Sequence, residues 1–505
     1  MAKDRRKKRK RRKKGQPGFK EYALLSIAAV FLVCAIVVIG RSAFQDKKAK
    51  DERKRNAASS ESSIEESSMT LKLTVSVEGE KIPCIKLDDG IYVGFDELNE
   101  KALHGGLIVD EKSQQVFYTT LKDGKQVFSL PEIPRMEKLG TTFVQLDWFA
   151  STFGLTVEQE DDRTYHVQPV EQVDESTILK AQLPAQPISM FWFQDFTGDY
   201  NDDQKAMIKK TKGNANVMSP TWYSLQEDGT LSSRANKKWV KWAHKYDMQV
   251  WALVDNAFDD ALTLEVLSDE AKRETLINQL LEQCQKLGLD GINLDFEGLS
   301  EETAPYFIEF VREAGAVLRP DGYILSVDVS VPMRWSSYYR RDLLAAACDY
   351  CIVMAYDEHY SGSEAGSVSS MKFMETAVQN MLAQVPAEKL ILGIPFYTRV
   401  WTITESETTC ASWTMNAVSN YMVDWELEPV YDEETGQDLM IQEDEDTGTV
   451  YKCWIENAKS VQKRLDCASQ NQLAGVAAWK VGMEAEDIWP LMQAYMKQEG
   501  ATADD

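Results

Sequence analysis

The residues whose types and spacing could do chemistry lie in one run, Leu289-Asp290-Gly291-Ile292-Asn293-Leu294-Asp295-Phe296-Glu297-Gly298-Leu299. With the period of two that a strand imposes, Ile292, Leu294 and Phe296 share one side, and Asn293, Asp295 and Glu297 share the other. The chemistry open to two such carboxyls is proton transfer. Gly291 and Gly298 bracket the run, and a helix-like segment from Ala271 to Leu287 precedes it. A strand after a helix points to a parallel α/β sheet, whose faces are normally both covered. Inward-facing carboxylates are costly to bury there unless they are satisfied or used. By itself the pattern fits either a catalytic row or a structural polar cluster.

The elements around this run alternate between strand and helix from about residue 186 to 496, as a (β/α)8 TIM barrel requires. The predicted strands are Ile188–Phe193, Val217–Ser219, Gln249–Val254, Gly291–Phe296, Ile324–Val329, Tyr350–Ala355, Leu390–Ile394 and Gly475–Trp479. The gap between the seventh and eighth is too wide for one helix. An insertion is therefore expected over residues 402–460, and its acidic turns at Glu433-Glu434-Thr435-Gly436 and from Glu443 to Gly448 suggest a hairpin-bearing subdomain beside the cleft.

Asp290-x-x-Asn293-x-Asp295-x-Glu297 resembles the D-x-x-D-x-D-x-E signature of glycoside hydrolase family 18, the chitinase-like barrels. That resemblance implies Glu297 as general acid and later base, Asp295 as the group that orients the substrate acetamide, and Asp290 as support from beneath. Asn293 stands where Asp is commoner, which alters the proton relay between the inner acids. Met354-Ala355-Tyr356-Asp357 resembles the sixth-strand motif. It implies Tyr356 on the acetamido oxygen and Asp357 beside the scissile bond. Trp479 matches the floor under the reacting sugar, and Gly393-Ile394-Pro395-Phe396-Tyr397 the seventh strand, with Tyr397 either a core aromatic or a sugar contact. Trp192, Trp222, Tyr223, Trp251 and Trp401 near predicted strand ends suit a sugar-binding groove. Pro220-Thr221-Trp222-Tyr223, Tyr356-Asp357-Glu358-His359 and the stretch Tyr451 to Ser460 are similar to the spore-germination and cell-wall branch. The implied partner is an N-acetylglucosamine-containing wall polymer, peptidoglycan or chitin. The implied activity is retaining, substrate-assisted hydrolysis without a cofactor or metal. The alternatives are a silent carbohydrate-binding protein, against which Glu297 argues, and a wall tether.

The 505 residues carry a net charge of −24, but residues 1–20 hold a local +11, which leaves −35 for the rest. An acidic body argues against nucleic acid as a partner. The basic tail, residues 1–21, precedes an uncharged apolar run at 22–40, long enough to span a bilayer. Positive charge on that flank holds the N-terminus in the cytoplasm and sends the rest outside. Residues 41–70 are charged and Ser-rich, as in a flexible stalk. Over 71–170, Leu71, Leu73, Val75 and Val77 alternate with polar residues. There is also an internal echo: Tyr92 to Leu98 answers Phe143 to Phe149, and Gly106 to Asp110 answers Gly154 to Glu158. This small α+β unit resembles the stalk-type domain named after the N-terminal region of copper amine oxidases, without a copper site, since His104 and His166 are isolated. Cys348-x-x-Cys351 reads as buried thiols rather than a redox pair, and Cys410 and Cys453 flank one segment and could pair.

Overall fold

Eight parallel strands close on one another between Ile188 and Trp479 in the computed structural model, which describes residues 73–171 and 187–498. They are β1 (Ile188–Phe193), β2 (Val217–Leu225), β3 (Gln249–Asp255), β4 (Gly291–Asp295), β5 (Ile324–Ser330), β6 (Tyr350–Met354), β7 (Leu390–Pro395) and β8 (Gly475–Trp479). Each pairs in parallel with its neighbours, and β1 pairs with both β2 and β8 to close the ring. The strand alternation explains two apolar cores. Met190, Trp192, Leu253, Ile324, Tyr350, Ile352 and Ile391 fill the interior, where Trp251 stacks on Tyr350 at 5.4 Å. Residues of the opposite parity, among them Phe191, Ala252, Ile292, Leu294 and Phe296, pack outward against the helices. The second strand is longer than predicted, because it runs on past Ser219 into a hairpin with Leu231–Ser233.

The approach to β4 follows from local sequence. Asp269 accepts hydrogen bonds from the N–H groups of Ala271 and Lys272 and so caps the 18-residue helix Glu270–Leu287. Gly288 ends that helix at φ +75°. At Gly291 a Cβ would come within 2.5 Å of the Ile324 carbonyl oxygen, so glycine is what lets β4 and β5 approach. The insertion starts earlier than expected, at Tyr397 rather than 402. It is a five-stranded antiparallel sheet, Tyr397–Ile403, Thr408–Thr414, Val430–Asp432, Gln437–Asp444 and Thr449–Ile455, with the helix Met415–Asp424.

In residues 73–171 the internal echo is a structural repeat. Strands Gly90–Gly94 and Thr141–Gln145 pair antiparallel, with Val93 opposite Val144, and each leads into a two-turn helix, Phe95–Ala102 or Leu146–Phe153. Phe95 and Phe149, one from each unit, meet edge to face at 6.1 Å in the shared core. This unit docks on the barrel helix Ala304–Leu318, which follows the loop after β4. There the Arg312 guanidinium donates to the carbonyls of Gly105 (2.7 Å) and Gly106 (3.3 Å), Thr119 donates to the buried Glu309 at 2.5 Å, and Tyr306 donates to Asp110 at 2.9 Å. The apolar run 22–40 and the segment 41–70 lie outside the described residues. Among the described residues no helix is long and apolar enough to cross a membrane.

The thiols of Cys348 and Cys351 are free and buried, 3.7 Å apart. Cys410 and Cys453 are also free and do not pair. They flank the strand Tyr397–Ile403 from its two sides, opposite Trp401 and Val400 respectively, so strand alternation sends them to opposite faces. His166 is held by Ser76 at 2.9 Å and Glu160 at 3.0 Å.

Arg312 gives the domain junction its most easily tested contact. Its removal takes the guanidinium donors from two carbonyls and its ion-pair partner from Glu309, buried and 4.0 Å away. Arg312→Ala should therefore lower stability by about 3 kcal/mol, read as a shift of the urea midpoint.

Candidate active site

The C-terminal mouth of the barrel gathers carboxyls from three adjacent strands. Asp255 on β3 lies in register with Asp295 on β4. Asp328 on β5 continues the inward row that starts at Ile324 and passes through Ser326. Glu297 stands one inward step beyond Asp295, just past the end of β4. Its backbone is clamped by Asn256: the Glu297 N–H donates to Asn256 Oδ1 at 3.0 Å, and Asn256 Nδ2 donates back to the Glu297 carbonyl at 2.9 Å. Gly298, at φ +72°, then turns the chain away.

Beneath the acids the amide of Asn293 acts as a cross-brace. Its oxygen accepts from Trp192 Nε1 and from Ser219 Oγ, each at 3.0 Å, and its nitrogen donates to Asp328 Oδ1 at 2.8 Å. A second aspartate at this position would place two carboxylates face to face with no donor between them. The amide turns that contact into a hydrogen bond that holds Asp328.

Burial raises every acid in the row, and the charge of a neighbour adds to it for Asp295, Glu297 and Asp328. Covering by the barrel wall, and then the charge of Asp255, push Asp295 up to about 7. Glu297 is pushed well above the usual carboxylate range, first by burial and then by Asp295, Asp357, Asp328 and Asp255. Asp328 is raised by burial and by Asp295, against its hydrogen bond from Asn293. A buried oxygen of Asp295, Oδ1, has no hydrogen-bond partner. The outcome is a pocket in which Glu297 holds its proton more strongly than an ordinary carboxyl and an aspartate oxygen is free to accept a new donor.

On the far wall, Tyr356 follows β6 and Trp479 ends β8. Trp192 meets both rings edge-on, at 6.5 Å and 5.7 Å. Burial and the nearby carboxylates raise the Tyr356 phenol far above its ordinary range, so it stays a donor. Met354, half-buried, ends β6 at the same mouth. Asp357, at φ +58°, is gripped by the Tyr397 hydroxyl at 2.5 Å and by the Arg399 guanidinium. Tyr397 is almost fully buried and its hydroxyl is engaged by Asp357.

Three residues that the sequence groups with the site lie away from the open mouth. Asp290 sits at the opposite end of β4, where it accepts the Val250 N–H and faces His244, both at 2.8 Å. Seven strand steps, roughly 20 Å, separate it from Glu297. Asn293 is wholly enclosed, so it braces other residues and meets no sugar. Trp222 faces the helices, fully buried, and donates to Asp195 at 3.1 Å. Trp192, Tyr223, Trp251 and Trp401 are likewise buried and form no groove surface. Asp255, Asn256, Asp328 and Arg399 were not foreseen as site residues. The alternations Trp251-Leu253-Asp255 and Ile324-Ser326-Asp328 carried a signal for two of them; Asn256 and Arg399 are visible only once the loops are folded.

A closed parallel barrel with a row of carboxyls at its C-terminal mouth is the layout of a barrel enzyme with acid–base chemistry at its strand ends. The pattern described as "Glycosyl hydrolases family 18" matches residues 195–484. The chain belongs to that family and is a glycoside hydrolase. It is 25% identical over 325 residues to the uncharacterized glycosylase YvbX of Bacillus subtilis, covering 61% of this chain and 92% of that one. It is 24% identical over 255 residues to the cortical fragment-lytic enzyme of the same organism, covering 48% of this chain and 58% of that one. Among solved structures it resembles the spore cortex-lytic enzyme SleL of Bacillus cereus, with a TM-score of 0.56 at 20% identity, over 60% of this chain and 73% of that one.

The raised acids give stability a pH dependence of definite sign. Unfolded Asp295 loses its proton near pH 4, but folded Asp295 does so at about 7. The folded state therefore binds more protons in that window, and this group's contribution to stability falls as pH rises through it. Asp295→Asn removes the penalty. Relative to wild type it should gain on the order of 2 kcal/mol at pH 8 and little at pH 4, read by urea denaturation at the two pH values.

Proposed function

We propose that this enzyme hydrolyses a β-1,4-linked N-acetylglucosamine-containing wall polymer, peptidoglycan above all, by retaining, substrate-assisted catalysis. Glu297 protonates the glycosidic oxygen. The 2-acetamido oxygen of the substrate attacks the anomeric carbon as the leaving group departs and forms an oxazolinium ion. Glu297, now a carboxylate, takes a proton from the water that opens the ring, which gives net retention. Asp295 accepts the acetamido N–H and balances the developing charge, while Tyr356 donates to the acetamido oxygen. Asp357, Met354 and Trp479 line the sugar site.

The observation that carries this reading is the pairing of Glu297, whose carboxyl burial and neighbouring acids hold well above the usual range, with an unpartnered Asp295 oxygen on the same inward row. Two side chains two residues apart on one strand lie on the same side of a bound sugar. A carboxylate beside the acid is badly placed to attack the opposite face, and the acetamide can reach it. The lytic enzymes among the relatives favour peptidoglycan over chitin as the polymer. The basic tail and the apolar run 22–40 favour an N-terminal membrane anchor with the barrel outside the cell, beside its polymer.

Glu297→Gln should bind oligosaccharide but lose at least 10²-fold in turnover, because an amide cannot donate the proton. Wild type should release reducing ends from acetylated peptidoglycan and leave polymer deacetylated at the reacting sugar intact. Equal cleavage of both polymers would contradict participation of the acetamide.

A further inference from the structure

Across the mouth from the acids is a cation that pairs with no carboxylate among the described residues. Lys480 follows Trp479 directly at the end of β8. Its ammonium donates to Gln194 Oε1 and sits 5.6 Å from the centre of the Phe196 ring. Gln194 continues the inward row of β1, Ile188-Met190-Trp192, one step above Trp192. The contact therefore draws the ammonium toward the opening of the barrel. Phe196, 56% exposed, leaves that rim open to solvent.

The acids nearest in sequence are otherwise engaged. Asp195 accepts from the N–H groups of Thr197 and Gly198, from Gln204 Nε2 and from Trp222 Nε1. Glu484 accepts from the Gly482 N–H and Trp489 Nε1 and lies 3.5 Å from Lys210. Among the described residues no carboxylate pairs with the Lys480 ammonium. Burial alone pushes it down to about 8, which still leaves it charged at neutral pH. A partly desolvated ammonium held by a neutral amide is under-satisfied, and an incoming anion would form a charge-assisted hydrogen bond with it.

We propose that Lys480, with Gln194 and Phe196, forms a carboxylate-binding subsite that selects the free 3-O-lactyl group of a muramic sugar next to the cleaved residue. The proposal rests on the peptidoglycan reading and adds a determinant that neutral chitin has no use for. In intact peptidoglycan the lactyl carboxyl is amide-linked to the stem peptide. An amide-hydrolysing reaction must therefore strip the peptide to supply this substrate. A carboxylate of the peptide itself is the other source of the same chemistry.

The test is calorimetric binding to the Glu297→Gln enzyme, which needs no turnover. Three ligands are compared: a peptide-free tetrasaccharide of alternating N-acetylglucosamine and N-acetylmuramic acid, the same compound with its lactyl carboxyls converted to methyl amides, and a peptide-bearing tetrasaccharide. The acid should bind about tenfold more tightly than its amide, equivalent to about 1.4 kcal/mol. That ratio should collapse to about one when Lys480→Met is added and return with Lys480→Arg. A preference seen only with the peptide-bearing ligand, and lost in Lys480→Met, supports the subsite with a peptide carboxylate as its occupant. Equal binding of acid and amide with no gain from the peptide, or a preference that survives Lys480→Met, overturns the proposal. Hydrolysis of acetylated peptidoglycan by the wild type is scored separately, so failure of the activity and failure of the subsite are distinguished.

Discussion

Four carboxyls crowded into the mouth of one barrel cannot all be ionised at once, and that constraint governs the site. Asp255, Asp295, Asp328 and Glu297 come from three neighbouring strands whose register brings them to one end. Each is raised by the burial that the barrel imposes, and three of them further by the charge of a neighbour. The protons they hold more strongly than ordinary carboxyls are the catalytic resource, since a carboxyl that keeps its proton can donate it. The same repulsion opposes folding, and the apolar interior below, with Trp251 stacked on Tyr350, supplies burial against it.

Asn293 shows how one atom shapes that row. The family signature more often has an aspartate here, whereas this chain uses an amide that accepts from Trp192 and Ser219 while donating to Asp328. An aspartate at the same place would need a shared proton to make the last of these contacts. Replacing it removes one ionisable group from the relay and leaves the remaining proton to the Asp328–Asp295–Glu297 row. The insertion serves the opposite wall: Tyr397 and Arg399 reach back from its first strand to grip Asp357.

Much of this was legible in the sequence because alternation and spacing are local signals. The eight strands, the inward face of β4 and the repeat in residues 73–171 follow from periods that neighbouring residues carry. What depended on distant contacts was not legible. Trp222 looked like a strand-end aromatic because the strand was read as ending at Ser219; with the strand extended into its hairpin, Trp222 turns to the helices. Asp290 belongs to the signature but lies seven strand steps below Glu297, where it holds the Val250 N–H at the other end of the barrel. Asn256 binds the backbone of Glu297 from another strand's loop, a pairing that no local period could reveal. The docking of the small domain on Ala304–Leu318 depends on arginine and glutamate side chains that in sequence look like an ordinary polar helix face.

The central claim is that the row holds its proton on Glu297 at neutral pH. It is tested most directly by carbon-13 NMR of the Glu297 side-chain carboxyl, assigned by its loss in Glu297→Gln and titrated from pH 4 to 9. The account predicts a neutral-acid chemical shift at pH 7, ionisation only above that, and a downward move of the midpoint in Asp295→Asn as a neighbouring negative charge is removed. A Glu297 carboxyl already ionised at pH 5 would contradict it.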